Sequence, residues 1–213
     1  MKRYVLICLS LLWLPLLGWT QSSEPFQAGK DYQVISTQKT PSMIDGNVEV
    51  VEFFNYGCPG CFFVESAVKQ WLLDAPESIH FQRTPVVLTP QWRSYARAYH
   101  AAQTLGMEEQ LSPALFAAIH EQKRNLTSDQ AIIAFFMEQG VTAEQIEQAF
   151  DQQQLKAKLS ADIEKIRVYR ANAIPGFGVA GQYRTDLAMA KNDPQRMMEI
   201  VDFLIMQSQQ PPS

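Results

Sequence analysis

Glu52-Phe53-Phe54-Asn55-Tyr56-Gly57-Cys58-Pro59-Gly60-Cys61 is the stretch on which the fold turns. It begins inside Val48-Glu49-Val50-Val51-Glu52-Phe53-Phe54, a β-branched and aromatic run that reads as a largely buried central strand. Asn55-Tyr56-Gly57 then carries turn chemistry. From Cys61 the spacing becomes helical: Val64, Ala67, Val68, Trp71 and Leu72 share one face until Asp74-Ala75-Pro76. Ile79 to Val87 reads as a second strand. Strand, helix and strand in this order form a parallel crossover unit.

Working outward, the chain after Val87 shows no strand signal for a long way. Thr89-Pro90 reads as an N-cap with proline in the first turn, and Gly106 closes that helix. Ser112-Pro113 is expected to open another, carrying Leu115, Phe116 and Ile119. Thr127 with Gln130 and Thr142 with Gln145 each fit a capping box. The first precedes Ile133, Phe136 and Met137, and the second precedes Ile146 and Phe150. Leu155, Leu159, Ile163 and Ile166 keep helical spacing towards Tyr169. Strand chemistry returns at Gly176 to Ala180 and, after a turn at Ala180-Gly181, at Gln182 to Thr185. Asp193-Pro194 opens a last helix with Met197, Ile200, Val201, Leu204 and Ile205 inward. The expected layout is a discontinuous α/β domain over 21–88 and 171–213, interrupted by a helical insertion over 89–170.

The composition agrees with a folded chain of one domain plus an insertion: 213 residues, 46% hydrophobic and 19% charged. A formal net charge of −4 argues against a nucleic-acid partner. Residues 1–20 stand apart from the fold. Lys2 and Arg3 precede an apolar run from Tyr4 to Leu17, and Gly18 and Thr20 supply small residues at a cleavage site. The run is short for a membrane span, so it reads as a signal peptide, with an uncleaved anchor as the alternative. Export, with the bacterial periplasm as destination, leaves Cys58 and Cys61 as the mature chain's cysteines, Cys8 being lost with the leader.

The chemistry concentrates at Cys58-Pro59-Gly60-Cys61. Two cysteines two residues apart can close a small disulfide without unwinding the helix that follows. At a strand–helix junction the first sulfur faces unpaired amides and the positive end of the helix, which stabilises a thiolate. Pro59 in the first turn removes an amide that would have had no partner. Cys61, one turn in, suits the resolving role. Zinc would need further ligands, and His80, His100 and His120 are scattered, so neither metal nor cofactor is expected. An inert structural disulfide and a reduced buried pair remain as alternatives.

The segment Glu52 to Cys61 resembles the active-site strand and helix start of the DsbA family of bacterial thiol:disulfide oxidoreductases. The likeness extends from Ala28-Gly29-Lys30-Asp31-Tyr32 to the final helix. It implies a thioredoxin fold with a helical insertion, and catalysis of disulfide formation in reduced exported proteins. It also implies a quinone-linked membrane partner of the DsbB type that restores the oxidised form. Where the best-known members carry histidine, this chain has Gly60. The resemblance further implies a cis bond at Ile174-Pro175 facing the sulfurs, where the backbone could pair with an extended substrate and Ile174 could influence partner choice.

Alternation places Glu52 on a face with Val50 and Phe54. Its position six residues before Cys58 matches a family carboxyl that exchanges a proton with the second cysteine. The family's companion lysine has its best match in Arg83, which cannot release a proton and is expected to act electrostatically only. Trp92, Tyr95 and Tyr99 share a face that is expected to be core, with a groove beside the sulfurs as the other reading. A monomer is expected, since the segment before Tyr32 leaves little room for a dimerising arm. Rival functions are a reductase or isomerase on the same fold, and a noncatalytic binding domain stapled by its cysteines. With Cys58 expected at ~4–5.5 by the resemblance, the reduced protein should be the more stable form at pH 7.

Overall fold

A computed structural model describes residues 25–36 and 42–210; the leader reading at 1–20 lies outside them. The strand predicted around Glu52 forms as β3 (Asn47–Phe54), and Val48 to Phe54 are buried along it without a break. A strand covered on both faces must be apolar at nearly every position, which is why no polar alternation shows in its sequence. It is followed by α1 (Pro59–Asp74) and β4 (Ile79–Pro85). β4 pairs parallel to β3, placing Glu52 opposite Arg83.

On its other side β3 pairs antiparallel with β5 (Gly176–Val179), which continues into β6 (Tyr183–Asp186). The hairpin between them needs positive φ at both turn residues, and Ala180 and Gly181 adopt 56° and 67°. β6 falls one residue later than expected at its start. Two short strands, β1 (Gln33–Val34) beside β6 and β2 (Met43–Ile44) beside the start of β3, complete the sheet. α7 (Pro194–Ser208) closes the unit, capped by Asp193 through the amides of Gln195 and Arg196. α1 and α7 cover one sheet face with Val64, Val68, Ile200, Val201 and Leu204. On the other face Val51 and Phe53 pack with Ile35, Val86 and Tyr169. A parallel crossover joined to an antiparallel hairpin and a closing helix is the thioredoxin arrangement.

Between β4 and β5 lie five helices: α2 (Trp92–Thr104), α3 (Glu108–His120), α4 (Asp129–Glu138), α5 (Ala143–Ala149) and α6 (Gln152–Val168). Their core reaches back to the end of β3, where Phe54, Tyr56 and Phe116 form edge-on and tilted ring pairs. The capping box at Thr142 and Gln145 forms in both halves. Elsewhere the starts shift. Thr89-Pro90 makes a turn, with the Trp92 amide bonded to the Thr89 carbonyl, and α2 begins only after it. α3 begins a turn before Pro113, which leaves the carbonyl of exposed Glu109 without its helical donor. α4 is capped by Ser128, while Thr127 bonds to Asn125. Asp151 caps α6 and separates it from α5. Ile163, which shares the helical spacing of Leu155, is 67% exposed.

Candidate active site

Cys58 is the N-cap of α1 and has extended backbone angles. This residue therefore occupies the position where a serine or aspartate side chain would normally accept the helix amides. Its Sγ accepts from the Cys61 amide at 3.3 Å, and Pro59 follows where no amide is needed. Both cysteines are buried and unlinked in this structure. The hydrogen bond from the Cys61 thiol lowers the Cys58 pKa to about 7, burial opposes the drop, and the amides of Cys61 and Gly60 add to it. The Glu52 charge works against it. Gly60 contributes its amide and no side-chain donor. Burial pushes the Cys61 thiol far above its ordinary range, and the neighbouring Cys58 raises it further.

The loop before the helix is held from several directions. Asn55 Oδ1 accepts from the Gly57 amide at 3.0 Å, and its Nδ2 donates to the Val86 carbonyl at 3.0 Å. His120 Nε2 meets the Tyr56 carbonyl at 2.7 Å, and its ring stacks on Phe62. The Tyr56 hydroxyl pairs with Ser112. A Cβ on Gly57 would sit 2.6 Å from Trp92 Nε1, so Trp92 packs directly on the active loop, while Tyr95 and Tyr99 are buried. The aromatic face is thus divided: Tyr99 is core, and Trp92, partly exposed, packs on Gly57, the residue before Cys58.

Ile174-Pro175 is cis, and the two residues come from the far end of the chain to the cysteines. The Cys58 thiol points at the Ile174 carbonyl, 3.9 Å away. A Cβ on Gly60 would meet Pro175 Cδ at 3.0 Å, so glycine lets the loop and this proline approach closely. Ile174 is half-buried and Pro175 buried.

Beneath α1, Glu52 is 1% exposed and accepts from Arg83 Nε at 2.7 Å. Arg83 also donates through Nη2 to Glu65 at 2.9 Å. Burial pushes Glu65 up to about 7, with the Arg83 charge opposing. The structure therefore gathers Cys58, Cys61, Pro59, Gly60, Ile174, Pro175 and Glu52 in one region. From sequence, Asn55, Ser112 and His120 carried no role at the site, and Glu65 was not named. Glu65 was findable, being one helical turn from Cys61; His120, far along the chain, left no local signal. Among the described residues no cluster of three or more His, Cys, Asp or Glu side chains could hold a metal ion.

Residues 72–201 match the family described as DSBA-like thioredoxin domain. That span contains Pro175 and begins after the two cysteines. The thiol:disulfide interchange protein DsbA of Burkholderia cepacia is 32% identical over 193 residues, covering 90% of this chain and 91% of its own. The protein of the same name from Pseudomonas syringae pv. tomato is 30% identical and covers 95% and 94%. The crystal structure of Pseudomonas aeruginosa DsbA superposes with a TM-score of 0.78 at 27% identity, over 85% of this chain and 94% of that one.

Proposed function

The chain belongs to the DSBA-like thioredoxin family of thiol:disulfide oxidoreductases, and on that premise we propose that it acts as a dithiol oxidase on reduced exported proteins. A substrate thiolate attacks Cys58 Sγ, and the bond to Cys61 breaks. Cys61 leaves as a thiolate and takes up a proton. A second substrate thiolate then attacks the substrate sulfur of the mixed disulfide, and Cys58 leaves as the more stable thiolate. Two electrons pass from substrate to protein, whose disulfide is restored by a quinone-linked membrane partner of the DsbB type. Ile174 and cis-Pro175 offer a backbone edge for the substrate segment, and Glu52 exchanges the proton with Cys61. The leader at 1–20 carries the protein to the periplasm, and residues 89–170 act as an insertion that shelters the cysteines.

The observation that carries this reading is the asymmetry of the pair: Cys58, bonded to the start of α1, is lowered to about 7, while buried Cys61 is raised. An attacked sulfur should also be the better leaving group, and Cys58 is. One observation favours a reductase or isomerase instead: at Gly60 the Cys58 sulfur gains a backbone amide but no side-chain donor to hold the thiolate. The reduction potential separates the two, at about −120 mV for a DsbA-type oxidant and about −270 mV for a thioredoxin-type reductant. Cys61→Ser should accumulate mixed disulfides through Cys58, and Cys58→Ser should abolish transfer. Trapping through Cys61 alone would reverse the roles.

A further inference from the structure

Two carboxylates share one guanidinium under the active helix. Arg83 lies between Glu52 on β3 and Glu65 on α1, with side-chain exposures of 6%, 1% and 12%. Its guanidinium also lies over the Phe54 ring, 5.4 Å from the centroid, so little water reaches it from that side. Glu65 stands one turn beyond Cys61 and, with Arg83, Lys69, Glu108 and Ser112, lines a cavity of about 770 Å³ between α1, β4 and α3. Arg83 cannot give up its proton. With both carboxyls ionised the buried trio would carry an uncompensated negative charge, the situation in which paired carboxylates retain one proton between them.

The other groups around the trio do not remove that charge. Glu108, at the start of α3, faces the same cavity and is itself raised by burial. Lys69 lowers Glu65 only in part, and is exposed. Tyr56 and Tyr99 are kept neutral by burial. Cys61 is a thiol on the same helix, also raised by the Glu52 charge.

We propose that Glu65 is a positioning residue for proton exchange at Cys61: it competes with Glu52 for Arg83, so that the two carboxyls hold one proton between them. Without the competitor, Arg83 would pin Glu52 as a carboxylate with nothing to donate. With it, Glu52 can pass a proton to the Cys61 thiolate as the disulfide opens, and the pair regains that proton from water in the cavity through Glu65. The proposal rests on the oxidase reading for its consequence, but the proton sharing itself does not depend on it.

Two measurements test it. In stopped-flow oxidation of a reduced peptide, Glu65→Gln should slow the step about tenfold near pH 6 and flatten the limb near neutral pH, with KM unchanged. Glu65→Asp should restore the limb, and circular dichroism would check that each variant is folded. A wild-type pH profile in Glu65→Gln would overturn the proposal. Carbon-13 NMR of the glutamate carboxyls in the reduced protein reads the same point without activity. Glu65, on which burial raises the pKa, should keep its proton above about pH 6. Ordinary titration of Glu65 near ~4.3 would refute the sharing even in a protein that fails as an oxidase.

Discussion

Titrating the stability gap between the dithiol and the disulfide form tests the two cysteine environments separately. Cys58, at about 7 when folded and ~8.5 when unfolded, has a depressed folded pKa. Its stabilisation is therefore full above the unfolded value and lost as pH falls through the folded one. It is small at pH 7, under about 1 kcal/mol, and reaches roughly 1–2 kcal/mol by pH 8.5. Cys61 acts in the opposite sense. It stays protonated in the fold, so above ~8.5 only the unfolded chain ionises, which costs on the order of 1 kcal/mol by pH 9.5. The sum is a bell, close to zero at pH 6, about 1 kcal/mol near pH 8.5 and smaller again at pH 9.5.

Closing the short disulfide loop restricts the unfolded chain by ~2 kcal/mol in the entropy model. Strain in so short a ring acts against that restriction, and an oxidase of the proposed kind needs the reduced form to be the more stable at pH 7, whereas a reductase needs the oxidised one. Melting curves of both forms from about pH 6 to 9.5 should show the reduced form gaining roughly 2–5 °C on the oxidised one towards pH 8.5 and losing part of that gain above it. Carboxyl titrations occur in both forms and largely cancel in the difference. An oxidised form that is clearly the more stable at pH 7 would overturn the oxidase reading in favour of a reductase. A gain of the reduced form that continues above pH 8.5 would mean that Cys61 ionises in the fold.

Glu52→Gln should slow turnover roughly tenfold or more at unchanged substrate affinity and shift the pH dependence of Cys61 reactivity; an unchanged rate and profile would reduce Glu52 to packing. Gly178→Ala would place a Cβ 2.2 Å from the Tyr169 ring, and a loss of about 1–3 kcal/mol in denaturant unfolding is expected. Tyr169→Phe removes a 2.6 Å hydrogen bond to buried Glu49 and the acceptor of the Gly181 amide. Because Lys165, Gln82 and Ser42 still serve Glu49, chemical denaturation should show a loss of only about 1–2 kcal/mol, without loss of oxidase activity.

What could be read from the sequence was what depends on near neighbours. The change of period from strand to helix at Asn55-Tyr56-Gly57, the cysteine at the helix cap, the box at Thr142 and Gln145, and the burial of Glu52 within an apolar run are of this kind. The starts of α2, α3 and α4 were misread for a related reason: a proline or threonine marks a turn or a first helical turn without fixing the cap, so Thr127 yields to Ser128, α2 starts after the Thr89-Pro90 turn, and α3 runs from Glu108 through Pro113. Only the tertiary structure decided who shares the charge of Glu52. The parallel register of β3 and β4 sets Arg83 opposite it, and the packing of α1 brings Glu65 to the same guanidinium. His120 reaches the Tyr56 carbonyl, and Ile174-Pro175 reaches Cys58, through the same kind of long-range closure. Such contacts follow from the register and packing of the whole chain, so no window of sequence around any one residue contains them.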